Sequence, residues 1–174
     1  MKKLLINFML AVLMMLSASS GAQLLPDNKN LNAQSVARWM QSNRDMAPIM
    51  QLVDSTHASD AELKAFDALP AVEQDKKINE LLKANNFFES ANSIALKHGW
   101  KSVGEYMRLS TKLGNAIAAY FLFADLGEVT EEQARQLKEK ADPAVLDVPK
   151  SDIEFIKRYE KPLQDYIKAY GAGR

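Results

Sequence analysis

The two histidines are the residues of this sequence best suited to acid–base or metal chemistry. His57 follows Asp54 by three positions, so the carboxylate could orient the imidazole or share a metal ion with it. His98, in the run His98-Gly99-Trp100, could donate a hydrogen bond beside an aromatic pocket. Both also fall at predicted helix C-termini, where an imidazole suits the helix dipole, and we favour that role for them. With two His and no Cys, we predict no metal site.

Nucleophilic and phosphate-binding motifs do not occur in the sequence. There is no Gly-x-Ser-x-Gly elbow, and the serines with a definable context begin predicted helices. The seven Gly are isolated rather than grouped in a phosphate-binding loop. Carboxylates are plentiful, so one enzymatic alternative stays open: a hydrolase in which His98 acts with Glu89 or Glu105. We otherwise predict no catalytic residues and no cofactor.

Aromatic side chains offer a third kind of chemistry, the binding of an apolar ligand. They are frequent in the middle of the chain, where helices could enclose a cavity lined by rings. Tyr106, with a polar tip near the Gly99-Trp100 turn, is the best candidate for the mouth of such a cavity. The alternative is an ordinary filled core. The predicted binding residues are His98, Trp100, Tyr106, Tyr120 and Phe121.

Charge and composition exclude several classes of protein. The 22 Lys and Arg residues balance 22 Asp and Glu residues, whereas a nucleic-acid-binding protein needs a basic surface, so we predict no nucleic-acid partner. Without Cys there are no disulfides and no thiol catalysis. A chain with 47% hydrophobic and 25% charged residues is not intrinsically disordered.

The first 22 residues have the pattern of a secretory signal peptide. Lys2 and Lys3 precede an apolar run over 4–16, and small residues follow. We predict cleavage after Ala22, with cleavage after Ala18 as the alternative. The apolar run has 13 residues, whereas a membrane-spanning helix needs about 20, so we predict no transmembrane segment in the mature chain. The short basic start favours a bacterial protein exported to the periplasm.

The rest of the sequence is typical of helices throughout. A Ser or Thr followed three residues later by Glu or Gln is a capping box, in which the two side chains satisfy backbone N–H groups at a helix start. This pattern occurs at 59–62, 102–105, 130–133 and 151–154, with a looser match at 86–89. Together with apolar spacing and Pro and Gly stops, it predicts helices over 33–55 (kinked or broken at Pro48), 60–69, 71–84, 87–98, 103–126, 131–141 and 152–170.

One of these helices is the centre of the predicted fold. The run 116–124, within helix 103–126, is apolar on every side. A run this short cannot span a bilayer, so the pattern indicates burial on every side. We therefore predict an all-α, compact single-domain bundle of six to eight helices around 103–126. The predicted domain covers 31–170, between an irregular lead-in at 23–30 and a flexible tail at 171–174.

Between residues 87 and 124 the sequence carries a series of short motifs. Two apolar residues are followed by Ile94-Ala95, His98-Gly99-Trp100-x-Ser102 and Glu105-Tyr106, which lead into an alanine-rich helix with a tyrosine. This stretch, about a fifth of the chain, resembles one in small exported all-α proteins of Gram-negative bacteria. The resemblance implies the all-α fold and export, and it implies neither an activity nor a site.

These observations favour a non-enzymatic function. We expect an exported helical protein that binds a partner protein or a small hydrophobic molecule, because the chain has an apolar centre and no recognisable catalytic set. A periplasmic chaperone or stress protein is the second hypothesis, and the hydrolase is the third. The sequence does not indicate an oligomeric state.

Overall fold

The structure, a computed structural model, describes residues 31–55, 60–126 and 130–172. Within these ranges it has eight helices and no strand, which confirms the predicted all-α bundle. The predicted signal peptide and lead-in, and also His57 and Ser59, lie outside the described residues. The helices are α1 (Ala33–Asp54), α2 (Asp60–Asp67), α3 (Ala71–Ala84), α4 (Phe88–Lys97), α5 (Val103–Leu126), α6 (Glu131–Lys140), α7 (Pro143–Leu146) and α8 (Lys150–Ala172).

Two departures from the predicted helices have local reasons. The single turn α7 lies between the predicted helices 131–141 and 152–170, where no helix was predicted. It forms because the Asp142 carboxylate accepts from the Ala144 N–H at 2.8 Å and proline is favourable in a first helical turn. α8 begins before Ser151 because the carbonyl of Pro149 accepts from the N–H of Asp152. α1 is one continuous helix through Pro48, so the alternative of two short helices is wrong.

The capping boxes differ in how far they form. At Thr130 both halves of the box are present. At Ser102 the hydroxyl accepts from the Glu105 N–H at 3.0 Å, but the Glu105 carboxylate accepts from the Lys101 N–H instead of the Ser102 N–H. The loose match at 86–89 is wrong, because Phe87 precedes the helix without a side-chain cap. The match at 151–154 is also wrong, since those residues lie inside α8.

Helix α5 is central, as predicted, and contacts α1, α3, α4, α6, α7 and α8. Two apolar clusters form along it. The cluster around its first half contains Met46, Ile49, Ile78, Leu82, Ala91, Ala95, Trp100, Val103 and Tyr106. The cluster around its middle contains Leu31, Val36, Leu113, Ala116, Phe155, Ile156 and Leu163.

The prediction that 116–124 is buried on every side is wrong at its C-terminal end. Ala116 and Ala119 are fully buried, but Phe123 is 39% exposed. The next helix, α6, contacts α5 but has no buried residue of its own. None of the helices that the structure describes is both long and apolar enough to cross a bilayer.

Candidate functional site

Trp100 and Tyr106 lie in the core between α1 and α5. Each is 1% exposed, and their rings meet edge to face with centroids 5.4 Å apart. The indole Nε1 of Trp100 donates to the hydroxyl of Ser42 at 3.0 Å, and the Tyr106 hydroxyl donates to Oδ1 of Asn43 at 2.7 Å. The structure therefore places Tyr106, the predicted pocket mouth, inside the bundle with its polar tip bonded to α1.

A second set of polar contacts extends from Asn43 to α8. The Asn43 amide donates to the Tyr166 hydroxyl at 2.8 Å, and Trp39 donates from Nε1 to the Ser110 hydroxyl at 2.7 Å. The rings of Trp39 and Tyr166 also meet edge to face at 5.6 Å. Burial raises the pKa of the Tyr166 phenol above its ordinary value, as it does for Tyr106, so both stay protonated. These groups join three helices by part-buried hydrogen bonds.

His98 is paired with a carboxylate that the sequence did not suggest. Its Nε2 lies 2.8 Å from Oδ2 of Asp45 on α1, and only 16% of its side chain is exposed. The hydrogen bond from His98 is the main reason that the pKa of Asp45 lies below its ordinary value, and Lys97 at 3.5 Å lowers it further. Asp45 is 53 residues away in sequence, so no spacing rule points to it.

The two glutamates proposed as hydrolytic partners of His98 lie elsewhere. Glu105 accepts from the Lys101 N–H at 2.6 Å and lies 3.8 Å from the Arg38 guanidinium. Glu89 is exposed in the first turn of α4. The described structure therefore joins His98 to Asp45, and gives Glu105 a different set of partners.

Arg38 contacts Trp100 and the turn that precedes it. Its guanidinium lies 3.8 Å from the centroid of the Trp100 ring, within cation–π range, and donates to the Gly99 carbonyl at 2.6 Å. Gly99 adopts φ +76°, a left-handed conformation suited to glycine at the end of a helix. Arg38 thus holds the turn between α4 and α5 in place, which sequence spacing alone did not reveal.

Tyr120 and Phe121 form a separate group. The Tyr120 hydroxyl donates to Oε2 of Glu160 on α8 at 3.1 Å, and its ring lies 5.2 Å from that of Phe121. Burial raises the pKa of the Tyr120 phenol, and the Glu160 carboxylate raises it further. Because a helix rises about 1.5 Å per residue, Tyr120 lies about 21 Å along α5 from Tyr106. The five predicted binding residues therefore divide between two places.

A cluster centred on the Asp75 carboxylate of α3 was not predicted from the sequence. Asp75 accepts from the Ser102 hydroxyl at 2.9 Å and forms an ion pair with Arg108. Gly104 makes room for this pair, because a Cβ atom added there would collide with the Asp75 carboxylate. The cluster ties α3 to the first turns of α5, and the signal available in the sequence was the glycine in a first helical turn.

A fully buried carboxylate, Asp152, secures the start of the described chain. Its Oδ1 accepts from the Leu31 N–H at 2.8 Å, and its Oδ2 lies 3.2 Å from the ammonium of Lys112 on α5. Oδ2 makes an ion pair without meeting the geometry of a hydrogen bond. The Asp152 side chain thus connects Leu31, which precedes α1, to α5 and α8.

Asp67, at the end of α2, lacks the kind of partners that Asp152 has. Its Oδ2 is buried and has no hydrogen-bond partner among the residues that the structure describes. Burial raises the pKa of Asp67 to about 6, and the nearby Asp142 carboxylate contributes to the rise. The Gln74 side chain donates to the backbone carbonyls of Phe66 and Asp67, at 3.3 Å each. In the part of the chain that the structure describes, no three His, Asp or Glu side chains converge to hold a metal ion.

Comparison with known proteins gives no family for this chain. No protein-family model matches it, and neither a curated protein nor a solved structure matches it significantly.

Proposed function

We propose that this chain is an exported, non-enzymatic binding domain that uses the apolar end of α5 to hold a partner protein. The observation that carries the proposal is Phe123, which is 39% exposed at the end of the apolar run in the central helix. Phe121 and Leu122 beside it are half-buried, so Phe123 is not an isolated apolar side chain on a polar surface. Exposed apolar surface of this kind is typical of an interaction site.

The next helix supplies polar surroundings for this apolar end. α6 contacts α5 and is exposed over nearly its whole length, with Arg135 bonded to Glu132 at 2.8 Å. Leu137 on α6 is 37% exposed. Apolar residues surrounded by charged ones are the usual arrangement of a protein–protein interface.

The arrangement of the reactive side chains supports a non-enzymatic function. A catalytic group has to present a free polar atom to a substrate. The indole N–H of Trp100 and the hydroxyl of Tyr106 instead form hydrogen bonds to Ser42 and Asn43 on α1. His98 is bonded to Asp45 and mostly buried, and it has neither Glu89 nor Glu105 as its partner. These contacts weigh against a hydrolase in which His98 acts with Glu89 or Glu105.

Site-specific photo-crosslinking in living cells tests the binding face. We expect a photoreactive amino acid at Phe123 to give a discrete adduct, because a bound partner lies within its reach. The matched control is the same amino acid at Leu96, which is 58% exposed on α4. Equal labelling at the two positions, or none at either, would count against the proposed face.

A small hydrophobic molecule is the other occupant expected from the sequence, and it gives a different result. Native mass spectrometry of the purified chain would then show an added mass, and the Phe123 crosslinker would give no protein adduct. A mass without additions, together with a protein adduct at Phe123, supports the protein partner.

Export is tested separately by fractionation and by sequencing of the mature N-terminus. We expect the chain in the periplasmic fraction, starting at Gln23 if cleavage follows Ala22 or at Ser19 if it follows Ala18. Retention of Met1 on a cytoplasmic chain would contradict export while leaving the binding face open to test.

A further inference from the structure

The outer face of α8 carries a row of lysines. α8 contacts α5, and its buried side includes Phe155, Ile156 and Leu163. An α-helix advances about 100° per residue, so residues separated by about 7, 11 and 18 positions point in nearly the same direction. Exposed lysines occupy such positions on the side of α8 opposite the buried one, and we call them the lysine row: Lys150, Lys157, Lys161 and Lys168. At about 1.5 Å of rise per residue, the row is about 27 Å long.

The acidic residues of α8 do not cancel the lysine row. Arg158 is also exposed, so five exposed basic side chains stand against two exposed acidic ones, Glu154 and Asp165, for a net charge of +3. The other two carboxylates of α8 are used within the bundle. Asp152 is buried, and Glu160 accepts from a tyrosine hydroxyl of α5. The whole chain has as many acidic as basic residues, so this face concentrates positive charge on one side of one helix.

The exposed charges of α6 show what a balanced surface looks like in this protein. Arg135 forms ion pairs with Glu132 and Glu139 on the same helix, so opposite charges there neutralise each other locally. In the lysine row, Lys161 pairs with the Asp165 carboxylate at 3.1 Å. The described part of the chain gives the other three lysines no ion pair. Their ammonium groups are therefore available to an anionic partner.

The shape of this face favours a flat partner. α8 continues through Pro162, and the lysine row follows the crest of the helix rather than the wall of a groove. A convex ridge can touch a plane along its whole length, whereas a flexible polyanion is held better between two walls. The large apolar side chains that are exposed in the described structure lie on other elements than α8. Contact through this face is therefore electrostatic and involves no insertion of apolar groups.

We propose that the outer face of α8 docks the chain on an anionic phospholipid surface, with the lysine row lying along the headgroups. A single lysine near such a surface raises the partition coefficient about fivefold, and Glu154 and Asp165 take back part of that gain. Because the attraction is between exposed charges, salt screens it. The proposal does not rest on the binding of a partner protein at Phe123, since it concerns other residues and another kind of partner.

Co-sedimentation with phospholipid vesicles tests the docking of the intact chain. We expect the wild type to bind vesicles of phosphatidylcholine with about 30% phosphatidylglycerol at about 0.05 M NaCl, where the Debye length is above 10 Å. It should bind pure phosphatidylcholine vesicles much more weakly. It should leave the anionic vesicles at about 1 M NaCl, where the Debye length is about 3 Å.

Two matched variants separate the lysine row from the total charge of the chain. Changing all four lysines of the row should weaken binding to the anionic vesicles about 100-fold: Lys150→Gln, Lys157→Gln, Lys161→Gln and Lys168→Gln. The control removes the same charge from exposed positions of α3 and α6 and should weaken binding less than about fivefold: Lys76→Gln, Lys77→Gln, Lys138→Gln and Lys140→Gln. All three proteins have the same N-terminus, so any affinity of residues 1–22 for lipid is common to them.

Three results would overturn the proposal. The first is a wild type that does not bind the anionic vesicles at low salt, or that binds neutral vesicles equally well. The second is an equal loss of binding in the row variant and in the control, which would assign the binding to the charge of the whole chain. The third is binding to soluble polyphosphate without binding to vesicles, which would assign the row to a linear polyanion. The first and third measurements use the wild type, so they decide the matter even if the row variant fails to fold.

Discussion

Asp152 and Asp67 place a carboxylate oxygen in the interior, but their surroundings differ. Asp152 has the Leu31 N–H on one oxygen and the Lys112 ammonium near the other. Asp67 has one buried oxygen without a hydrogen-bond partner in the described part of the chain, and the Asp142 carboxylate helps to raise its pKa. Burial alone therefore does not decide the role of a charged side chain. The groups that face the charge decide whether it stabilises the fold or makes it sensitive to pH.

The positions of the two residues explain this difference. Asp152 lies in the first turn of α8, against the central helix, where Lys112 reaches it from α5. Asp67 ends a short helix, and the Gln74 side chain donates to the backbone carbonyl of Asp67. The position of Asp152 against the central helix brings it partners from outside its own helix, whereas one oxygen of Asp67 lacks a hydrogen-bond donor in the described part of the chain.

Asp152→Ala removes the buried carboxylate that has partners, and we expect it to cause the largest loss of stability. It removes the acceptor of the Leu31 N–H and the charge that faces Lys112. Loss of one partner of a buried ion pair typically lowers the free energy of unfolding by about 3–5 kcal/mol, which urea denaturation measures. Asp152→Asn keeps an oxygen that can accept from the Leu31 N–H but has no charge. Its free energy of unfolding should lie between those of the wild type and Asp152→Ala. A loss of about 1 kcal/mol, the size expected of a surface pair, would contradict the assigned role.

Gly104→Ala tests the other satisfied carboxylate, Asp75. A Gly→Ala change inside a helix ordinarily stabilises by about 1 kcal/mol. Here the new Cβ collides with the Asp75 carboxylate, so we expect a loss of about 1–3 kcal/mol in thermal or urea unfolding. In the double variant Asp75→Ala/Gly104→Ala the collision is gone, and the loss should be smaller than the sum of the two single losses. Additive losses would argue against the collision.

Asp67→Asn removes the charge of the carboxylate that lacks a partner, and we expect it to cause the smallest change in stability. Because the folded state raises the pKa of Asp67 to about 6, its contribution to stability is lost as the pH rises through that value. Removing the charge should raise the free energy of unfolding by about 1–2 kcal/mol at pH 7, a figure reduced for the partial exposure of the side chain. The gain should shrink as the pH is lowered to 4. A gain that is equal at both values would be inconsistent with titration of Asp67, and Glu132→Gln should give no gain at either.

The helices were predictable because their signals are local. The Thr130 box forms in full, and the turn after α4 has Gly99 in the left-handed conformation that ends many helices. The match at 86–89 failed because the helix begins at Phe88, with Phe87 as its N-cap. The match at 151–154 failed because those residues lie inside α8. In α8, Asp152 of the first turn bonds to Leu31 rather than to its own helix start.

The partners of the reactive side chains were not predictable in the same way. His98 meets Asp45 across 53 residues, and Arg108 meets Asp75 across 33. These pairs depend on which helix faces join and at what height. The exposure of Phe123 has the same origin, since an apolar helix is buried only as far as its neighbours reach.

The sequence by itself determined the class of fold, the approximate bounds of the helices and the choice of α5 as the centre. Hydrogen bonds between residues three or four apart and the spacing of apolar side chains carry that information. Only the tertiary structure decided which carboxylates are matched, which aromatic rings are buried and which end of α5 is left uncovered. Those outcomes depend on contacts between residues that are distant in sequence, and the packing of one helix against another sets them.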